Sequence, residues 1–207
     1  MLGGSVVWEP SGSGDPEPTI LFRDPFTPDK TLSNNDEPEI GAAYTSPFGG
    51  SVGNFAYDSE ALIFNISGGD ILASALAAAV PSGGYRWVFE VGLSSPVNFI
   101  FGLDVATASG YAVYRDANNW GVSKLVNGVV AESYAGGTEF IDPLTQIVVT
   151  PDQGFKVHFG EGAFEVADVT DTDFLNNAAF GMEIQNGGES GRIIGPLVAT
   201  TDKNLEA

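Results

Sequence analysis

Trp120 follows two asparagines, Asn118 and Asn119, and lies shortly after Tyr114. An aromatic ring can stack on the apolar face of a sugar while neighbouring amides bond its hydroxyls. Trp120, Asn118, Asn119 and Tyr114 are therefore the candidate glycan-binding residues. The competing reading is that Trp120 opens a strand and packs inside a sandwich. A second constellation, Asp168, Asp171 and Asp173, offers three hard oxygen ligands in a short polar stretch and suits Ca²⁺. It lacks the glycine and closing glutamate of an EF-hand loop, and an Asx turn with a helix N-cap is the reading preferred over it. No other cofactor is expected.

Glycoside hydrolysis needs two carboxylates about 5–10 Å apart. On a jelly-roll glucanase they alternate along one strand, and that pattern is missing. Glu37-Pro38-Glu39 lies in a proline-broken loop, and Asp171-Thr172-Asp173 lies in a polar connection. Glu165 and Asp168 are three apart, which puts them on opposite faces of a regular strand. Glu90, Asp104 and Glu183 stand alone in their strands. His158, the one histidine, alternates with Val157 and Phe159 and reads as a solvent-facing strand residue. With no cysteine there is no thiol catalysis, disulfide framework or zinc–thiolate site. The expectation is a protein that is not an enzyme.

The elements that carry these residues follow from composition. The chain has 207 residues, 27 acidic against 8 Lys and Arg, for a formal net charge of −19. That charge repels phosphate backbones, so no nucleic-acid partner is expected. No apolar run approaches the roughly 18 residues of a membrane-spanning helix, so no membrane insertion is expected. Met1–Ser13 has neither a basic start nor a long apolar core, so it does not read as a secretory signal. Hydrophobic residues make up 43% and charged residues only 17%, with 27 glycines. This profile suits an all-β chain with many turns.

Residues 1–18 read as a flexible N-terminal arm of linker composition, in which Val6, Val7 and Trp8 form an apolar anchor for a neighbouring subunit. Residues 19–200 read as about twelve short strands, and 201–207 as a polar tail. Tyr85 to Leu93 alternates, with Tyr85, Trp87, Phe89 and Val91 on one face. Asn127-Gly128 between two β-rich runs is a strong hairpin signal. Gly160-Glu161-Gly162 joins a second hairpin. Gly41 to Tyr44 reads as a weak strand. Ile71 to Val80 is apolar all round, and its first half is assigned to a strand. Asp168 to Asn177 is polar with room for one helical turn. Asn65-Ile66-Ser67 is an incidental sequon within an apolar strand. Strands at this spacing predict a β-sandwich or barrel.

The order of signals resembles concanavalin A-like (LamG-like) jelly-roll domains over residues 19–200. The resemblance rests on Asp24-Pro25-Phe26, on Gly110-Tyr111 through Asn119-Trp120-Gly121 to Asn127-Gly128, on Ile147 to Asp168, and on Gly181-Met182-Glu183 to Val198. It implies an all-β, antiparallel jelly-roll β-sandwich. Domains of this type occur in secreted glycan-binding proteins, glycoside hydrolases and bacteriophage virion proteins, and the fold does not choose among them. With no signal-like start, cysteine or catalytic constellation, the expected function is a virion structural protein. It would be a capsid decoration (cement) protein or a tail or fibre component, assembled in the host cytoplasm. Its partners would be other virion proteins or copies of itself, in a homo-oligomer such as a trimer. The alternative is a carbohydrate-binding adhesin or module that meets a cell-surface glycan.

Overall fold

The computed structural model describes residues 17–34, 36–64, 70–92, 96–116, 118–138, 142–160, 164–184 and 192–205. Val6, Val7, Trp8 and the Asn65-Ile66-Ser67 sequon lie outside them, as does most of the Gly160–Gly162 turn.

Fifteen strands are present among the described residues. They are β1 (Ile20–Asp24), β2 (Lys30–Thr31), β3 (Phe55–Asp58), β4 (Ala61–Phe64), β5 (Ile71–Ala75), β6 (Tyr85–Gly92), β7 (Val97–Asp104) and β8 (Ser109–Arg115). There follow β9 (Trp120–Val126), β10 (Val129–Gly137), β11 (Leu144–Thr150), β12 (Gly154–Phe159), β13 (Phe164–Val169), β14 (Ala179–Ile184) and β15 (Arg192–Thr200). One 3₁₀ turn, Val52–Asn54, precedes β3. A nine-stranded sheet runs β13-β12-β11-β6-β15-β4-β3-β2, with β1 paired to the later part of β15. A six-stranded sheet runs β10-β9-β8-β7-β14-β5. All pairings are antiparallel, and the two sheets form the expected jelly-roll sandwich.

Period-2 patterning sets the layers. Along β6, Tyr85, Trp87, Phe89 and Val91 are buried in the core as predicted. Trp87 sits at its centre, with Phe180, Phe99 and Phe22 at ring-centroid distances of 4.6, 5.1 and 5.8 Å. Each such aromatic pair contributes roughly 0.5–1.5 kcal/mol beyond the area it buries. Asn127 and Gly128 take φ of 52° and 74°, the geometry of the tight turn that joins β9 to β10. The first half of Ile71–Val80 is a strand, as predicted. The weak strand at 41–44 is absent, and only the isolated bridges Arg23–Ile40 and Thr45–Ala73 flank that segment. Residues 173–176 form turns with no helix.

One buried carboxylate ties three segments together. Asp24, at the end of β1, is 2% exposed. It accepts hydrogen bonds from the Tyr44 and Tyr57 hydroxyls, each at 2.6 Å, and from the Phe26 N–H at 2.8 Å. Burial, reinforced by the Asp24 charge, pushes both phenols well above their ordinary range, so they remain donors. The tail returns along the first strand. The Thr201 N–H reaches the Thr19 carbonyl at 3.0 Å, and Lys203 Nζ reaches the Gly83 carbonyl at 2.7 Å.

The sheet edges are irregular. β10 slips against β9 twice, between Val130 and Glu132 and between Ser133 and Ala135. β13 slips once against β12. β2 has only two residues. Along β5, Thr45 exchanges backbone bonds with Ala73, and the Ala42 N–H reaches the Ala75 carbonyl.

Candidate functional site

The glycan candidates divide between the two faces of the six-stranded sheet. Strand alternation sends Tyr111, Val113 and Arg115 of β8 into the sandwich and Ala112 and Tyr114 outward. Trp120 pairs with Arg115 and so turns inward, packing edge-on against Phe159 at 5.5 Å. It is half-buried against the core and not on the face that carries Tyr114. Its neighbour Arg115 is 1% exposed and donates to the Asp142 carbonyl at 2.7 Å and to Thr145 Oγ1 at 2.8 Å.

Tyr114, Asn118 and Asn119 do come together, around Asp116. The Tyr114 hydroxyl donates to Asp116 Oδ2 at 2.6 Å, and the backbone N–H groups of Asn118 and Asn119 donate to Oδ1 at 2.8 and 2.6 Å. Burial raises the Tyr114 phenol, and the bond to Asp116 adds to it, bringing it to about 12. For Asp116 burial acts upward too, but the bonds from Tyr114, Asn118 and Asn119 outweigh it and hold the carboxyl at about 2. The turn after β8 is thus held by the Asp116 carboxylate, charged at neutral pH.

Register extends the site in a direction that local sequence does not show. Glu183 of β14 stands opposite Asn98 of β7, Asn98 opposite Tyr114 of β8, Tyr114 opposite Gly121 of β9, and Gly121 opposite Gly136 of β10. Three half-buried polar side chains therefore form a level row on the outer face, followed by two positions with no side chain. Asn98 Nδ2 donates to Glu183 Oε2 at 2.9 Å, which orients the amide. The next row is apolar and small: Ala73, Gly181, Ile100 and Ala112, then Ser123 and Ser133. Ile71, Leu103 and Leu125 close around it in a second apolar cluster. Asn98 and Glu183 were invisible as a pair in the sequence because 85 positions separate them.

In these rows Glu183 is the sole carboxylate among the described residues. The arrangement therefore brings together an acceptor, an amide and a phenol, groups that can bond hydroxyls.

The three aspartates do not converge. Asp171 accepts from Lys124 Nζ at 2.6 Å, from the Tyr134 hydroxyl at 2.7 Å and from the Tyr111 hydroxyl, and Asp173 accepts from the same Lys124. Asp168 pairs instead with Lys156 at 2.9 Å. No group of three acidic or histidine residues is placed to hold a metal ion among the described residues. The grouping expected from sequence is corrected because Lys124 reaches up from β9 and supplies the positive charge itself. Glu165 also departs from expectation. Both Glu165 and Asp168 bind Lys156 at 2.9 Å, because the slip of β13 against β12 leaves Val166 as an extra residue and returns Glu165 to the side of Asp168. His158 is 6% exposed and not solvent-facing, lying on the nine-stranded sheet beside Gln146, which is fully buried.

The Lys124–Asp171 group makes stability depend on pH. Burial pushes the Asp171 carboxyl up. Bonds from the Asp173 N–H, Lys124, Tyr111 and Tyr134 outweigh this and hold it well below the usual carboxylate range. A lowered folded-state value means the stabilisation is complete above the unfolded-state value of about 3.9 and is lost as pH falls below it. Asp171→Asn is expected to cost about 2 kcal/mol in urea unfolding at neutral pH. The gap between variant and wild type narrows as pH falls below about 3.9 and closes only beneath the depressed folded-state value of Asp171.

No protein-family model and no curated protein matches the chain. Solved structures do. The carbohydrate-binding module CBM66 from Bacillus subtilis aligns at a TM-score of 0.56 and 17% identity, over 76% of this chain and 95% of that one. The Ca²⁺-bound VIP36 exoplasmic/lumenal domain aligns at 0.57 and 8%, over 89% and 90%. A prokaryotic β-1,3-1,4-glucanase (lichenase) derived from a mouse hindgut metagenome aligns at 0.52 and 9%, over 86% and 96%. At these identities the likeness shows the fold alone: an antiparallel jelly-roll β-sandwich of the concanavalin A type.

Proposed function

We propose that the protein is a carbohydrate-binding module that holds its glycan on the outer face of the six-stranded sheet. The observation that carries this reading is the row Glu183–Asn98–Tyr114, level across three strands and continued by the open lane at Gly121 and Gly136. Hydroxyl groups donate and accept, so one sugar can satisfy a carboxylate, an amide and a phenol together. The asparagines at 118 and 119 extend the polar edge of the row. The CBM66 likeness supports this reading at the level of fold. The virion reading gains no such support from the comparisons.

A glycan array with wild type, Asn98→Ala and Trp120→Ala tests it. Wild type is expected to bind a defined glycan class, and Asn98→Ala to weaken that binding about tenfold, the loss of one well-placed hydrogen bond. Trp120→Ala should lower thermal stability while leaving glycan selectivity unchanged, because its ring packs on Phe159. Binding to no glycan would overturn the proposal.

A further inference from the structure

The opposite face of the sandwich carries a recess that the glycan reading does not use. β15 pairs with β6 at both ends but slips in the middle. Ile194 stands opposite Glu90, and Val198 stands opposite Val88, the place that Pro196 would take in a regular ladder. Residues 195–197 of β15 thus face a single residue of β6. Bulges of this kind re-aim side chains and recur beside functional sites. Here the slip opens a cavity of about 180 Å³ between the two strands.

Its walls are chemically ordered by the period of the strand. Along β6 the outward residues are Arg86, Val88 and Glu90, so a cation and a carboxylate flank an aliphatic step. Thr200 lies opposite Arg86, and Ile194 and Val198 continue the aliphatic floor. Arg86 is 4% and Thr200 6% exposed, so both are held in place by their surroundings. Arg86 Nη1 donates to Gln146 Oε1 at 2.6 Å, which fixes the plane of the guanidinium.

The geometry points to a second ligand site in this recess, one that takes a single neutral, polyhydroxylated ring such as the terminal unit of a glycan. A carboxylate ligand would meet Glu90, and an ammonium ligand would meet Arg86. A neutral polyol satisfies both, since its hydroxyls accept from the donor-only guanidinium and donate to the acceptor-only carboxylate, in charge-assisted bonds. The aliphatic floor receives the C–H face of the ring. The volume lies below the 300–1,000 Å³ usual for drug-sized ligands, which limits the occupant to one ring. The protein would then grip sugars on both faces of the sandwich.

Two-dimensional amide NMR of the full chain tests this, with free glucose, galactose, mannose and fructose added in turn and in excess. The expected result is saturable shifts at Arg86, Glu90, Val198 and Thr200 with at least one sugar. Thr200→Val should weaken that binding about tenfold, and Val198→Trp, which fills the recess, should abolish it. Asn98→Ala should leave it unchanged. Wild-type recess amides that stay still with all four sugars would overturn the proposal without any variant having to fold. Shifts at Asn98, Tyr114 and Ser123 report separately on the six-stranded face, so either site can fail alone.

Discussion

Asp24→Ala is expected to destabilise the protein by about 3–5 kcal/mol, the range for removing one partner of a buried, charged hydrogen-bond group. The substitution deletes a carboxylate that is 2% exposed and strands three donors at once: the Tyr44 and Tyr57 hydroxyls and the Phe26 N–H. Water cannot replace it without opening the joint between β1, the segment around Tyr44, and β3. For a domain of this size 1 kcal/mol moves the melting temperature by roughly 2–4 °C, so a fall of about 10 °C is expected by differential scanning calorimetry. Tyr44→Phe removes a single donor and leaves the carboxylate two others, so it should cost only about 1 kcal/mol. A loss for Asp24→Ala no greater than for Tyr44→Phe would show that the carboxylate does not organise the joint.

Gly154→Ala is expected to be comparably severe. Gly154 opens β12 with φ of 122°, in a region that L side chains rarely adopt. A Cβ there would collide with the Val169 carbonyl oxygen and lie 2.9 Å from Thr170 Cα. Both are backbone atoms, and Phe155 next door is paired with Val169, so β13 cannot move aside without breaking its ladder to β12. Torsional strain and overpacking each cost about 1–3 kcal/mol, giving roughly 3–5 kcal/mol together. The measurement is urea unfolding of the variant beside Gly83→Ala. A Cβ at Gly83 would meet nothing within 4 Å, so that change should be nearly neutral. Equal stability of the two variants would refute the clash.

The architecture was legible wherever period-2 patterning was clean, as along Tyr85–Val91, and wherever turn chemistry was specific, as at Asn127-Gly128. It was not legible where two strands slip past one another. The spacing of Glu165 and Asp168 predicts opposite faces, and only the slip against β12 reveals that both meet Lys156. The candidate site was half legible. Tyr114, Asn118 and Asn119 are neighbours in sequence and converge on Asp116. Asn98 and Glu183 join them through strand order alone, and no local pattern encodes strand order. The aspartates part company because lysines distant in sequence claim their charge, and Trp120 packs inward, the alternative that the sequence also offered, because its face is set by its pairing with Arg115.

The irregular sheet margins have a further consequence. An open sheet offers unpaired N–H and C=O groups to any passing strand, and a straight exposed edge invites stacking of one molecule onto the next. Here four of the margins are spoiled, by slips, by shortness or by a covering segment. β10 carries two slips, β13 one, β2 is too short to template a partner, and β5 is capped by the Ala42–Thr45 segment. Val129, Val130 and Phe164 are left exposed along these margins, yet no uninterrupted ladder stands beside them to guide a second chain into register. Among the described residues, then, the sheet margins are poorly suited to end-to-end fibre growth.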